Sequence, residues 1–359
     1  MFRRFLLCWL TLLLVGAGLA ALASGADAPR DCTKPPARGQ IGGSPGTDIL
    51  TLGDDDLRRI LVAARDAGMS AIRVDIDWSK VEPQQGHQDW SVVDRAVNAV
   101  QAAGMCPLGL ITYAPAWAAD PADKPSGHYF APQDPGMFGA FSGIAANRYR
   151  DSVAVWEVWN EPNTVNYFKP APDPARYVHI LAAAYTAIKA VRPSLTVLSG
   201  GLAPAEDNGS DIAPRTFLLG LYAAGGNKYF DGFAIHPYSY PALPDDPNSS
   251  DWNTALHVSS MRDIMVAGGD SAKPIWITEC GAPTGTSPKA VSDADQAQTI
   301  RTVLRAARDI GWLGPAFVYS IRDSGTDAAD PEQNFGILRH DFSTKPAYDV
   351  VREFTGGDR

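Results

Sequence analysis

The sequence predicts a single-domain α/β fold, a (β/α)8 TIM barrel. Three observations predict it: eight short β-rich runs, helical apolar stripes between them, and a near-constant repeat length. The β-rich runs centre on 39–43, 71–77, 107–112, 153–159, 196–199, 230–236, 274–279 and 317–320. Starts at Ala71, Pro107 and Val153, and again at Phe230 and Pro274, lie 36 to 46 residues apart, enough for a strand, a helix and two loops. An open doubly wound sheet shares this local pattern and is the rival architecture.

The helical stripes are read from apolar residues three and four apart. They are Leu57, Ile60, Leu61, Ala64; Trp90, Val93, Val97, Val100; Tyr177, Ile180, Leu181, Ala184, Tyr185, Ile188; and Ile300, Val303, Leu304, Ala307. Weaker helices are expected over 136–149, 216–224, 255–267 and 347–354. Asp54, Asp89, Asp173 and Asp293 stand where N-caps or first-turn acids belong, and Gly68 and Gly104 where helices stop. Loops after strands are long, notably 113–133, 160–172, 237–251, 281–291 and 322–345, whereas those before strands are short. In a barrel the long loops share one face, so function is expected there.

No linker or shift of composition divides 39–355, which is taken as one catalytic domain behind a Pro-rich lead-in (24–38) and before a short tail (356–359). Arg3 and Arg4 precede an apolar run from Phe5 to Ala23, with Ala21 and Ala23 in an A-x-A pattern. Residues 1–23 therefore read as a signal peptide or a retained single N-terminal membrane anchor. The protein is expected to be secreted or attached to the outer face of the cytoplasmic membrane.

Of 359 residues, 45% are hydrophobic and 20% charged, which excludes disorder as the main state. The net charge of −9 and the lack of a Lys/Arg stripe argue against a nucleic-acid partner. Cys8 lies inside the signal, leaving Cys32, Cys106 and Cys280. Cys32 precedes the first strand and Cys106 begins the third, so both fall near the N-terminal face and a disulfide between them is expected; Cys280 falls at the opposite face. His87, His128, His179, His257 and His340 show no ligand spacing, so neither metal nor cofactor is expected.

Ile72-Arg73-Val74-Asp75-Ile76-Asp77 alternates aliphatic with charged, which turns the charged face into the barrel. Arg73 is read as functional, and Asp75 as functional or as part of a salt-bridge layer. The same alternation joins Glu157, Trp159 and Glu161 on one face; Glu157 lies deeper, as Arg73's counter-charge, and Glu161 reaches the rim. Glu279 closes a second β-rich run, Ile275 to Cys280. Two acids on strand ends facing each other across a barrel mouth are what hydrolysis of a glycosidic bond requires: one protonates the leaving oxygen, and the other attacks the anomeric carbon or activates water.

Trp159-Asn160-Glu161-Pro162-Asn163 resembles the Asn-Glu-Pro signature of clan A glycoside hydrolases. The likeness runs from about residue 40 to Pro346-Ala347-Tyr348 and is greatest with family 39 and similar family 5 proteins. It includes Trp78-Ser79-Lys80-Val81-Glu82-Pro83, Asp89-Trp90 and His236-Pro237-Tyr238. The resemblance implies a (β/α)8 barrel, Glu161 as acid/base after strand four and Glu279 as nucleophile after strand seven. It implies that Arg73 holds the nucleophile, that Asn160 bonds the sugar 2-hydroxyl, and that His236 and Tyr238 lie near the nucleophile. A covalent glycosyl-enzyme would set the two acids ~5 to 5.5 Å apart.

The expected substrate is a cell-envelope or extracellular polysaccharide or oligosaccharide. Many clan members carry a tryptophan after strand eight, where this chain has Val318-Tyr319-Ser320-Ile321-Arg322-Asp323. Tyr319, Arg322 and Asp323 are therefore expected to select the sugar. Arg322 either accepts a carboxylated sugar or bridges to Asp323 or Asp327. Tyr113, Trp117, Tyr167 and Phe168 on rim loops are candidates for stacking on sugar faces, Trp117 foremost.

Two rivals remain at this stage. Gly42-Gly43-Ser44-Pro45-Gly46 fits a serine nucleophile elbow, but Pro45 lacks the N–H that an oxyanion hole needs there. A transglycosylase or a non-hydrolytic carbohydrate-binding barrel would use the same cleft.

Overall fold

The computed structural model describes residues 30–46, 48–123 and 128–356. Residues 1–23, expected to be a signal peptide or membrane anchor, residues 24–29 of the lead-in and 357–359 of the tail lie outside the described residues. The strands are β1 (Ile41–Ser44), β2 (Ala71–Asp77), β3 (Cys106–Thr112), β4 (Val155–Asn160), β5 (Thr196–Gly201), β6 (Phe233–Ile235), β7 (Ile275–Cys280) and β8 (Leu313–Tyr319). Between and after them run α1 (Asp54–Asp66), α2 (Ser91–Ala102), α3 (Pro135–Arg148), α4 (Pro174–Val191), α5 (Pro214–Ala223), α6 (Val258–Ala267), α7 (Asp293–Asp309) and α8 (Pro346–Thr355).

All named pairings are parallel, in the order β5-β4-β3-β2-β1-β8-β7-β6. The ring closes between β5 and β6 through the parallel bridges Leu198 to Gly232 and Leu202 to Ile235. This is a single-domain (β/α)8 TIM barrel, and closure eliminates the open-sheet rival. β6 is shorter than the β-rich run 230–236; just before it Asp231 is tied to β5, its N–H bonded to the Val197 carbonyl at 2.7 Å and its carboxylate accepting the Val197 N–H at 2.8 Å.

The apolar stripes bury as their spacing requires: Leu57, Ile60, Leu61 and Ala64 from α1, and Ile300, Val303, Leu304 and Ala307 from α7, pack in the layer between sheet and helices. Asp173 caps α4 by accepting the Ala175 and Arg176 N–H groups, whereas Asp54 and Asp293 stand one residue inside their helices, after Gly53 and Ser292. The barrel interior has two levels. Ala71, Leu108, Val155, Leu198, Trp276 and Phe317 form an apolar floor, and the charged residues lie above it.

Cys32 and Cys106 are bonded, with Cα atoms 5.2 Å apart, tying the lead-in to the start of β3. Cys280 is a buried free thiol pushed up to about 12 by burial and then by the Glu279 charge, so it carries no thiolate chemistry.

Candidate active site

Arg73 organises the interior of the barrel. It is 2% exposed and donates from Nε to Glu157 Oε2 (2.8 Å), from Nη2 to Glu157 Oε1 (3.1 Å) and Asn160 Oδ1 (2.9 Å), and from Nη1 to Glu279 Oε1 (2.5 Å). Burial alone would lower its pKa, but the Glu157 and Glu279 charges outweigh that and raise it, so the guanidinium is permanently cationic. Glu157 also accepts from the Gly201 N–H (2.9 Å) and the Thr278 hydroxyl (3.1 Å), which fully occupies it as a structural counter-charge.

Glu279 receives a second donor, the Tyr238 hydroxyl, at 2.7 Å from Oε2. Strict alternation along β7 would put Thr278 and Glu279 on opposite faces. Both reach the interior because the β7–β8 register shifts between Ile277 and Cys280. Trp276, on the same strand, fills the apolar floor and is remote from any sugar.

Glu161 lies just past β4, its N–H bonded to the Gly201 carbonyl at 3.0 Å. Here the expected alternation needs correction. Trp159 and Glu161 were expected to share the inner face, but Trp159 takes a left-handed φ of 72° and swings outward against Phe138 and Phe168, its Nε1 donating to the Tyr167 carbonyl. Asn160 takes the inner face instead, and Glu161, also left-handed at φ 49°, follows it to the rim.

His236 joins the two acids. Its Nδ1 lies 2.9 Å from Glu161 Oε1 and 3.6 Å from Glu279 Oε2, and its Nε2 lies 3.1 Å from Thr278 Oγ1. Thr278 gives its hydroxyl proton to Glu157, so its oxygen accepts the His236 Nε2–H, which leaves Nδ1 to share a proton with Glu161. The ring fits because β5 carries Gly201; a Cβ there would collide with it. Burial, resisted by His236, raises the Glu161 pKa, and the Glu279 charge adds to the rise. His236 is itself raised: burial opposes its charge, but the Glu279 carboxylate and the bond to Glu161 prevail. One carboxylate oxygen of Glu161 and one of Glu279 lie within 4.8 Å of each other.

These groups open onto a cavity of about 380 Å³ on the C-terminal face. One wall carries Tyr113, Tyr129 and Tyr167, the other Tyr238, Tyr240, Trp252, Tyr319 and Phe335. Of the residues expected to meet substrate, Arg73, Tyr113, Asn160, Glu161, Tyr238, Glu279 and Tyr319 line it, as does Tyr167, and His236 stands immediately behind.

Four expectations are overturned. Trp117 is turned away, its indole N–H bonded to the Glu82 carbonyl (2.9 Å) and its ring edge-on to Trp78. Phe168 is fully buried in the helix layer. Arg322 bonds Asp56 at 3.2 Å and stacks over Phe342, with neither Asp323 nor Asp327 as its partner. Asp323 pairs with the buried Lys345 at 2.8 Å and accepts the Gly336 N–H. The last two are held off the cleft because the β8–α8 loop doubles back, Arg322 bridging to Leu338 and Leu338 to Thr344. Tyr129, Tyr240, Trp252, Lys289, Glu332 and Phe335 line the cavity without having been singled out from the sequence. Tyr240 was open to discovery, since it repeats the parity of Tyr238.

A family 39 glycoside hydrolase from the gut symbiont Bacteroides cellulosilyticus WH2 superposes with a TM-score of 0.69 at 27% identity, over 91% of this chain and 65% of that protein. The chain's structural neighbours are clan A glycoside hydrolases. A monomeric beta-xylosidase from Caulobacter crescentus CB15 follows at 0.65 and 20% identity, over 89% of this chain and 69% of that one. A family 5, subfamily 18 protein from Streptomyces cattleya, solved with GlcNAc, gives 0.67 at 17%, over 89% and 80%. The chain thus spans just under two thirds of the family 39 protein's length. No protein-family model and no curated protein sequence matches it.

Proposed function

We propose that the protein is a retaining glycosidase working by double displacement, with Glu161 as acid/base and Glu279 as nucleophile. The observation that carries this is the approach of their oxygens to within 4.8 Å, short of the ~6.5 to 9.5 Å that inversion needs for an intervening water. The two acids also differ in setting. Arg73 and Tyr238 donate to Glu279, while Glu161 is bonded to His236 and burial raises its pKa.

In the first step Glu279 attacks the anomeric carbon as the glycosidic C–O bond breaks, and the leaving oxygen takes the Glu161 proton. Esterification removes the Glu279 charge that raises the Glu161 pKa, so Glu161 becomes a better carboxylate when a base is needed. It then takes a proton from water, whose oxygen displaces Glu279 from the sugar. Asn160, fixed by Arg73, is the candidate partner for the 2-hydroxyl.

The substrate we favour is a polysaccharide or oligosaccharide of the cell envelope or extracellular space. The apolar run 5–23 and the Cys32–Cys106 bond, which suits an oxidising compartment, support export, either secreted or held at the outer face of the cytoplasmic membrane by the N-terminal segment.

A screen of aryl glycosides and envelope polysaccharides with wild type, Glu161→Gln and Glu279→Gln tests the reading. Wild type should cleave at least one substrate, and a fluorosugar inactivator should label Glu279. Full turnover by either variant, or a label elsewhere, overturns the role assignment.

A further inference from the structure

Two positions beyond Arg73, β2 carries another interior acid. Asp75 is 5% exposed and lines the cavity beside Leu110 and Tyr113. Among the described residues, no hydrogen-bond donor and no ion pair reaches its carboxyl group. The neighbouring acids hold donors: Glu157 four, Glu279 Arg73 and Tyr238, Glu161 His236, and Asp77 Ser79 at Oδ1, while its buried Oδ2, 3.7 Å from Lys80 and without a hydrogen bond, does not line the cavity. A buried carboxyl without a partner is costly, and its two oxygens offer acceptors that only something entering the cavity can fill.

The charge around it narrows what that can be. Besides Asp75 the cavity is lined by Glu161, Asp211, Glu279 and Glu332. Of its two cations, Arg73 is spent on Glu157 and Glu279, and Lys289 stands exposed at the rim. Arg322, which would have received a carboxylated sugar, faces Asp56 outside the cavity.

Resting on the glycosidase reading, we propose that Asp75 determines which sugar is accepted, its carboxyl group receiving hydrogen bonds from two adjacent ring hydroxyls of a neutral glycone, and that the cavity refuses sugars bearing a carboxylate. A neutral sugar supplies the missing donors without adding charge. A uronate brings a like charge among four other acids with no unspent interior cation to meet it.

The test uses the neutral aryl glycoside that wild type cleaves fastest, its monodeoxy series and the matching uronide, on wild type and Asp75→Asn. The variant, with two sugar hydrogen bonds lost or weakened, should lose about 10- to 100-fold in kcat/KM on the parent. One or two adjacent deoxy substrates should lose as much on wild type and little more on the variant, and the uronide should not be turned over. A variant loss under about 3-fold, or one that is equal on every deoxy substrate, overturns the role of Asp75. Turnover of the uronide at a rate near that of the parent overturns the charge selection.

Near-UV circular dichroism checks the fold. Should Asp75→Asn not fold, the deoxy series and uronide on wild type still decide: a uniform tolerance of deoxygenation refutes the proposal. Failure of the glycosidase reading shows separately, as no cleaved glycoside and no labelled Glu279. In that event calorimetric titration of both proteins with neutral monosaccharides and uronic acids decides: neutral binding lost in the variant supports the proposal, and no difference between the two proteins overturns it.

Discussion

Replacing Asp75 by Asn should stabilise the protein above neutral pH and leave it nearly unchanged in acid. Burial, opposed in part by the Arg73 guanidinium, raises the Asp75 pKa from its ordinary 3.8 to about 7. The unfolded chain ionises this group at the ordinary value, so between the two values the native state holds a proton that the unfolded state has lost. Stability from this site is therefore fully present below the unfolded pKa and is lost as pH rises through the folded one. At about 1.4 kcal/mol per tenfold change, the loss reaches about 4 kcal/mol near pH 8. Asparagine keeps the shape and carries no charge, so it escapes the loss. Urea unfolding of both proteins at about pH 4, 6 and 8 should show a gap opening from near zero to as much as about 4 kcal/mol in favour of the variant. A gap that stays constant, or opens the other way, would mean that Asp75 ionises as an ordinary or stabilised carboxylate, and the argument from its isolation would fail.

Tyr238→Phe removes one of two donors to Glu279 and should lower kcat about 10-fold or more with the circular dichroism spectrum unchanged; steady-state kinetics on a cleaved aryl glycoside measure it. Cys32→Ser opens a bridge that spans 74 residues and should cost about 4 kcal/mol in denaturant unfolding, while kcat holds because the bridge lies at the end of the barrel away from the cavity. The Glu161 pKa is raised, so the basic limb of the kcat/KM profile should lie above the ordinary carboxylate range, and Glu161→Gln should erase that limb.

The barrel was legible because its evidence is repetitive: β-rich runs recur along the chain, and four of the intervening helices carry clear apolar stripes. Errors at one element, such as the overlong run at 230–236, do not propagate to the count. The long loops were also legible as the functional ones, and 237–251, 281–291 and 322–345 do supply Tyr240, Lys289 and Glu332. Which loop residues face the cavity was not. Arg322 and Asp323 lie three and four residues past the end of β8 at Tyr319, yet each pairs with an opposite charge, Asp56 and Lys345, from segments 266 and 22 residues away in sequence. Partners at such separations are set by loop paths, which no local pattern encodes. Trp117 went astray for a related reason, since its apolar ring had Trp78 to pack against and its N–H the Glu82 carbonyl to reach.

The same limit applies inside the strands that carry the chemistry. Alternation predicts a face only while the backbone stays extended and in register; β4 turns left-handed at its end and β7 shifts register against β8. Left-handed Trp159 and Glu161 are uncommon for residues with a Cβ and cost of order 1–3 kcal/mol each. That distortion lets consecutive residues, Asn160 and Glu161, both serve the interior, one bonded to Arg73 and the other to His236. The register shift in β7 does the same for Thr278 and Glu279. Regular strands would offer one inward side chain per two residues, too sparse to set a proton donor, a nucleophile and their supports around one anomeric carbon. The left-handed residues at the end of β4 and the second register shift in β7 therefore fall where the acids stand.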